Sequence, residues 1–433
     1  MTILIIGQCT LHWGRMEFGN IGNYYIIEPF VRELHTNFPD AKIRTTFQMS
    51  DRFCGQEDVE VLPMDYYYGF LESDLATAEK EYMIAKRFSE TGELAETTPY
   101  IETVLNSDLV IDFSGDIWGD NADFLGENRF LVGLYKDRVA QLLGKKTVML
   151  AGSPGPFSHR KNLEFAKEVF ENFDLVTNRE AVSRGILKDY GFRLDNLVDL
   201  SCPAFLFEPK NDLDKQTIFP AFEPSSNTKI VGVILCGWNF LNGPFDKPVR
   251  DDCDYDFIVK PLTEFLDKER KATLCLMSHS NGFIPGKEPF ELIHGRDYPI
   301  IKQLEKILTE KGYAERIYTL NGVYDAWTTK AIIGTFDMLI SGRIHAAVSG
   351  LSQQVPTVII DYGHEPKAHK LKGFATEAGM LNYVADPESK DDIFKKIKMC
   401  WGALDEIRDQ LSQNIPKVQE KSKHNFELLK DLF

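Results

Sequence analysis

The sequence predicts an α/β protein with two Rossmann-like domains facing across a cleft. Three observations carry this. The chain has 433 residues, too many for one core, so two domains are expected. Short, almost wholly apolar runs alternate with segments of helical period, the pattern of parallel strands buried on both faces. That rhythm breaks over Glu208–Thr228, where Pro, Asn, Asp and Ser dominate, as expected of an interdomain connection. The expected domains are residues 1–210 and 225–390, with 391–433 forming C-terminal helices that could pack back on the first domain.

The elements follow in order. Ile3–Ile6, Leu109–Phe113, Thr147–Ala151 and Asp174–Asn178 read as buried strands of a first sheet. Tyr24–Asn37, Asn128–Leu143, Phe165–Phe173 and Arg179–Gly191 have helical apolar spacing, the last ending on a glycine suited to a helix C-cap. Past the connection, Ile230–Leu235, Ala272–Met277, Arg316–Thr319, Phe336–Ile340 and Thr357–Asp361 read as a second sheet. The helix Ile300–Lys311 lies between two of these strands. The tail from Asp391 is charged and helical, with no turn signal until Pro416. This two-domain layout is the GT-B arrangement of many glycosyltransferases, although fold alone does not fix function.

Bulk composition narrows the function classes. The chain is 43% hydrophobic and 26% charged, ordinary for a globular protein. Its 49 Lys and Arg against 65 Asp and Glu leave a net charge of −16, which argues against a nucleic-acid partner. The seven cysteines are scattered without CxxC or Cys/His spacing, so reduced thiols and no structural metal are expected. The chain opens directly on the strand-like run Thr2–Ile6, with no signal-peptide pattern. No apolar segment approaches the roughly 18–20 residues of a membrane span.

The most informative stretch is Met338–Ser352, followed by Val355–Ile360. A short strand, a Ser-Gly turn and a small-residue helix deliver Arg343 and His345 to the carboxyl edge of a parallel sheet, at a helix start. Unpaired N–H groups and the helix dipole favour an anion there, and open α/β sheets bind ligands at that edge. Gly342 is expected to let the backbone approach a ligand closely. The alternative is an Arg and a His that only cap the helix. Thr177–Ser183 repeats the pattern in the first domain, with Arg179 opening a helix. Two arginines, one from each domain, could clamp a doubly charged anion, since guanidinium forks suit carboxylate and phosphate. The alternative pairs Arg179 with Glu180 or a neighbouring helix.

Weaker candidates lie at other strand ends. The Gly/Asn-rich turn within Cys9–Asn23, with Asn20 and Asn23, could wrap an anion or be a plain loop; it lacks GxGxxG spacing, so no nicotinamide cofactor is expected. Asp116, in Asp112–Asp116, could act as a base or accept from sugar hydroxyls, or be a turn carboxylate. Gly152–Phe157 reads as a rigid structural loop, with His159 beyond it as a substrate contact. His279, His364 and Lys367 are further polar groups at strand ends. Tyr66–Tyr68 reads as an aromatic core patch more readily than as a sugar-stacking platform.

In this order the motifs resemble the polysaccharide pyruvyl transferase family over residues 1 to about 382. The likeness rests on Gly19–Asn23, Leu109–Gly115, Gly152–Phe157, the Arg-acidic-x-x-Ser start Arg179–Ser183, and above all the Ser-x-Arg-x-His turn Ser341–Ala346 before Val355-Pro356. The family's Gly-Asp appears here as Gly22-Asn23, and its triple-glycine turn as Phe113–Asp116. Both departures fall where the acceptor sugar would bind. The resemblance implies transfer of the enolpyruvyl unit of phosphoenolpyruvate onto two hydroxyls of a sugar, giving a pyruvate ketal in surface polysaccharide biosynthesis.

It further implies that Arg179, Arg343, Ile344 and His345 hold the donor, with His345, Arg343 and Asp116 catalytic. Asn20, Asn23, Asp116, His159 and His279 would face the acceptor, which could be a lipid-linked oligosaccharide. No metal or cofactor beyond phosphoenolpyruvate as donor substrate is implied, and the chain would be cytoplasmic, able to dock at the inner face of the cell membrane. A GT-B glycosyltransferase using a nucleotide sugar is the alternative. A carbohydrate- or anion-binding protein with a decayed site is the non-enzymatic one.

Overall fold

The computed structural model describes residues 1–8, 19–115, 117–158, 160–209, 218, 228–241, 250–284, 291–362, 369–389 and 391–433. They fall into two compact units. The first draws on described residues within Met1–Met16, Glu28–Pro203 and Lys421–Phe433, and the second on Glu17–Ile27 and Ala204–Glu420. These are not the contiguous segments expected: residues 19–27 and 391–420 belong to the second unit, and the boundary falls at 203/204.

The first unit holds a seven-stranded sheet of β1 (Thr2–Ile6), β2 (Lys42–Thr45), β3 (Val59–Val61), β4 (Leu109–Asp112), β5 (Lys146–Gly152), β6 (Leu175–Asn178) and β7 (Leu197–Asp199). Its order is β3-β2-β1-β4-β5-β6-β7, with every pairing parallel. Leu4, Ile6 and Val110 pack with Ala78, Ala85, Val132 and Val139 of the helices Asp74–Thr91 and Arg129–Leu142. On the same face, by the register, Met149 and Val176 pack with Trp118, Phe130 and Phe170. β4 and β6 are buried at every residue, as central strands of a parallel sheet are. Tyr67 and Tyr68 lie inside the first of these clusters, with Tyr66 packed against it, so the tyrosine run is core.

The strands β2, β3 and β7 were not expected. β2 alternates charged and apolar residues, and Arg44 pairs with Glu60 of β3 at 3.0 Å, directly across the ladder. Strands outside the sheet centre carry charge as a defence against edge pairing, which erases the apolar signal that marks central strands.

The second unit has a six-stranded parallel sheet of β8 (Lys229–Ile234), β9 (Ala272–Leu276), β12 (Ile317–Thr319), β13 (Met338–Ser341), β14 (Thr357–Ile360) and β15 (Val384–Ala385). A hairpin of β10 (Asn281–Phe283) and β11 (Leu292–His294) stands apart from it. The order β12-β9-β8-β13-β14-β15 runs outward from β8 in one direction, then returns to β13 and runs outward in the other. This is the doubly wound order, and its ligand crevice lies outside the carboxyl ends of the two central strands, here β8 and β13.

Pro416 does not end the tail helix; it sits inside Leu404–Glu427. Leu404, Ile407, Leu411, Ile415 and Val418 are all buried on either side of it. A proline inside a helix costs about 3 kcal/mol, whereas burying each such apolar side chain contributes about 1.5–3 kcal/mol. The end of this helix, from Lys421, belongs to the first unit. There the Thr177 hydroxyl donates to Asn425 at 2.6 Å, and Asn425 donates to the Ser201 carbonyl at 3.0 Å.

The first unit also buries two carboxyls together, Asp112 at the end of β4 and Asp137 on the helix Arg129–Leu142. Burial pushes the Asp112 carboxyl up to about 7. Burial and then the Asp112 charge raise Asp137 well above the usual carboxylate range, so the pair holds a proton that separate carboxylates would have lost. The folded state thus binds protons that the unfolded chain releases near pH 4, and stability falls as pH rises from about 4 to about 7. Asp137→Asn keeps an acceptor for the Trp118 indole N–H, 3.5 Å from the present carboxylate. It should flatten that decline and raise the melting temperature above neutrality. Melting curves across this pH range check it, and an unchanged slope would contradict the shared proton.

Candidate functional site

The strand β13 is buried throughout and pairs with β8 and β14, so its end is fixed in the middle of the second sheet. The chain then turns through Gly342 and Arg343 into the helix Ile344–Ser352. Ser341 holds the turn: its hydroxyl accepts from the Arg343 N–H at 3.2 Å and donates to the Arg343 carbonyl at 2.8 Å. Gly342 is needed here for a neighbouring side chain. A Cβ on it would lie 2.0 Å from Asn239 Oδ1. Asn239, fully buried in the loop after β8, donates to the Gly342 carbonyl at 3.2 Å and accepts from the Cys236 N–H at 2.8 Å.

Arg343 makes a two-point ion pair with Asp297, from Nε to Oδ2 at 2.5 Å and from Nη2 to Oδ1 at 2.6 Å. Burial opposes the guanidinium charge, but Asp297, with Cys236 and Tyr362, together outweigh it and raise the Arg343 pKa above the ordinary arginine value. Two of five N–H donors are thereby engaged. Among the described residues no hydrogen bond engages the other three.

Asp297 begins the helix Asp297–Leu308 and is completely buried. It also accepts from the His279 N–H at 3.3 Å, while its own N–H donates to the Ser280 hydroxyl at 3.2 Å. Sequence reasoning missed this residue. An acid in the first turn of an amphipathic helix reads as a dipole partner, and nothing local indicates an arginine 46 positions on.

His279 is brought to the same place, 1% exposed, with its ring edge against Tyr25 at 5.5 Å. Its Nε2 is buried and has no hydrogen-bond partner among the described residues. Burial, then the charges of Arg343 and His345, hold its pKa well below the usual histidine value, so the ring is a neutral imidazole.

His345 lies in the first turn of its helix, half-buried, with its ring edge-on to Phe374 at 6.1 Å. Ile344, buried, is the first residue of that helix. A Cβ on Gly22 would meet His345 Nδ1 at 2.6 Å, so the start of the helix Ile21–Asn37 abuts the imidazole only because residue 22 is glycine.

That contact relocates Asn20 and Asn23. They were expected on the acceptor side of the first domain, and both belong to the second unit, beside the histidines. Asn20 bridges to Ser280, its carbonyl oxygen Oδ1 accepts from the Gly22 N–H at 3.1 Å, and its amide donates to Asn23 Oδ1 at 3.2 Å. Asn20 is therefore a helix cap. The turn moved because the helix it opens packs Tyr24 and Tyr25 against Phe207 and Trp327 of the second unit.

In the first unit Arg179 follows β6 but does not open a helix; the next one is Val182–Asp189. Arg179 is 2% exposed, and its Nε donates to the Ser153 hydroxyl at 2.9 Å. Glu180 accepts from the Val182 N–H at 2.7 Å and the Ser183 N–H at 3.1 Å, capping that helix with its side chain. Ser153 in turn donates its N–H to the Gly115 carbonyl at 2.7 Å, which joins the two loops after β4 and β5 to Arg179. Asp116, His159, His364, Lys367 and most of Cys9–Asn23 lie outside the described residues. The six described cysteines are free thiols, and the described residues contain no group of three or more His, Cys, Asp or Glu placed to hold a metal.

Residues 20–364 match the family model for polysaccharide pyruvyl transferase. No curated protein matches the chain. Among solved structures, HepE of Anabaena in complex with UDP and glucose is similar with a TM-score of 0.55 at 14% identity, all of both chains being covered. A putative UDP-N-acetylglucosamine 2-epimerase from Listeria monocytogenes has a TM-score of 0.54 at 12% identity, covering 95% of this chain and 91% of that one. UDP-GlcNAc 2-epimerase from Neisseria meningitidis, bound to UDP-GlcNAc, has a TM-score of 0.54 at 10% identity, covering 99% and 100%. These likenesses establish an α/β fold with parallel sheets, shared with GT-B-like sugar-nucleotide proteins. The chain belongs to the polysaccharide pyruvyl transferase family.

Gly342→Ala should destabilise the second unit by about 1–3 kcal/mol through overpacking on Asn239. Urea unfolding of the single and Asn239→Ala/Gly342→Ala double variants checks the cause. The double should cost less than the sum of the singles, and strict additivity would contradict it.

Proposed function

We propose that this family member moves the enolpyruvyl unit of phosphoenolpyruvate onto two hydroxyls of one sugar, forming a cyclic pyruvate ketal in a surface polysaccharide precursor. The observation that supports the reading is a permanently charged guanidinium, held by a buried carboxylate, beside two imidazoles at the switch point of the second sheet. The donor carries a carboxylate and a phosphate, and both suit the outer edge of the Arg343 fork. Arg179 of the first unit is the second cation assigned to it.

His345 delivers a proton to the methylene carbon, leaving an oxocarbenium-like centre at the carbon that bears the phosphate. One sugar hydroxyl adds there and loses its proton. Phosphate departs with its bonding electrons, and the second hydroxyl closes the ketal and loses its proton in turn. An imidazole suits these transfers because its ordinary pKa lies near neutrality. His279, kept neutral, retains a ring nitrogen for the sugar or the leaving phosphate. Asn20 and Asn23 support the helix start beneath His345, and Asp116 and His159 remain acceptor-side assignments from the sequence. The acceptor proposed is a lipid-linked oligosaccharide handled at the inner face of the cell membrane. Among the described residues no helix is long and apolar enough to cross one.

Incubation with phosphoenolpyruvate and a panel of glycosides should release inorganic phosphate together with a pyruvyl mass gain on the sugar. Turnover of a nucleotide sugar without phosphate release from phosphoenolpyruvate would overturn the reading. His345→Ala should lower turnover about 100- to 10,000-fold with the circular dichroism spectrum unchanged. Arg343→Lys and Arg179→Lys keep the charge but lose the fork, and each should raise the KM for phosphoenolpyruvate about 10- to 100-fold. Steady-state kinetics separates these effects.

A further inference from the structure

Arg343 does not stand alone at the end of β13. Its Nε and Nη2 edge is closed by Asp297, at 2.5 and 2.6 Å, and Asp297 is wholly buried at the start of the helix Asp297–Leu308. The residue is anchored by three partners, two on its carboxylate and one on its backbone N–H. Beyond the guanidinium, it receives the His279 N–H, and the Asp297 N–H is fixed to the Ser280 hydroxyl. Ser280 bridges Asn20, which caps the helix carrying Gly22, and Gly22 abuts His345. The contacts thus run from the guanidinium through Asp297, Ser280, Asn20 and Gly22 to the imidazole.

An arginine side chain has several rotatable bonds and loses entropy when it is held. A planar two-point partner removes that freedom before a ligand arrives and fixes which edge faces outward. A buried ion pair is weak evidence for stability, because desolvation offsets most of its attraction. Orientation is the advantage this geometry does confer.

We propose that Asp297 is a positioning residue: it orients the Arg343 guanidinium so that its outer edge receives an anionic group of phosphoenolpyruvate, and it couples that orientation to the turn beneath His345. The inference rests on the donor reading above. Asp297→Asn keeps the shape but presents an amide N–H₂ to a guanidinium N–H, so one of the two bonds becomes a donor–donor contact. Arg343 should then rotate while remaining charged.

Two readouts test this. The Arg343 Nε–H signal in ¹⁵N NMR, identified by its loss in Arg343→Lys, should exchange slowly with water in the wild type and rapidly in Asp297→Asn. Calorimetric titration with phosphoenolpyruvate alone should give a dissociation constant raised about 10- to 100-fold in Asp297→Asn, with KM raised more than kcat is lowered, and Asp297→Glu should recover part of the affinity. A merely structural carboxylate would lower the folded fraction without moving the KM of what remains folded.

Affinity within twofold of wild type in folded Asp297→Asn would overturn the positioning role, whether or not Nε–H protection is lost. If that variant does not fold, the wild type still decides: a rapidly exchanging Nε–H means that the fork is not held, and overturns it. A wild type that binds no phosphoenolpyruvate while keeping a protected Nε–H would overturn the donor reading, and with it any role for Asp297 toward that donor.

Discussion

The ion pair between Arg343 and Asp297 is the constraint on which the second unit's site depends. It fixes a permanent charge at the end of a central strand, and the same carboxylate orders the loop after β9 through the His279 N–H. Removing either partner strands a buried charge, a cost of about 3–5 kcal/mol. The pair is therefore hard to remove, even though a matched apolar replacement could be equally stable. What the pair does confer is a fixed orientation of the guanidinium. Around it, burial and the nearby positive charge keep His279 neutral.

The sheet order explains why this charge sits where a ligand can use it. The chain leaves β8 in one direction and β13 in the other, so no crossing helix covers the gap between their carboxyl ends. Close approaches then shape the gap, and two glycines make them possible. Gly342 admits the Asn239 side chain that ties the β8 loop to the Arg343 turn, and Gly22 admits His345 against the start of the helix Ile21–Asn37. Neither position carries a left-handed backbone, so both glycines are explained by missing volume and not by torsion.

Much of this was legible in the sequence where a local signal existed. The central strands are continuous apolar runs, and β1, β4, β5, β6, β8, β9, β13 and β14 stand where that pattern places them. The Ser-Gly-Arg-Ile-His turn displayed its site because a strand, a tight turn and a small-residue helix are contiguous. What was illegible depends on distant partners. Lys42 and Arg44 disguise β2 because Glu60 of β3 balances them. Pro416 reads as a stop, yet buried apolar residues on both sides carry the helix through it. Asp297 resembles any acid at a helix start. Asn20 and Asn23 follow the first strand in sequence, but the aromatic packing of Tyr24 and Tyr25 assigns them to the other unit.

The central claim is that the outer edge of the Arg343 fork, next to His345, is where phosphoenolpyruvate binds. The most direct measurement is a crystal structure of the protein soaked with phosphoenolpyruvate. It should have one anionic group on the Arg343 guanidinium, the Asp297 pair intact behind it, and the methylene carbon within reach of the His345 imidazole. Phosphoenolpyruvate bound with both anionic groups away from Arg343, or a nucleotide occupying that edge in its place, would contradict it.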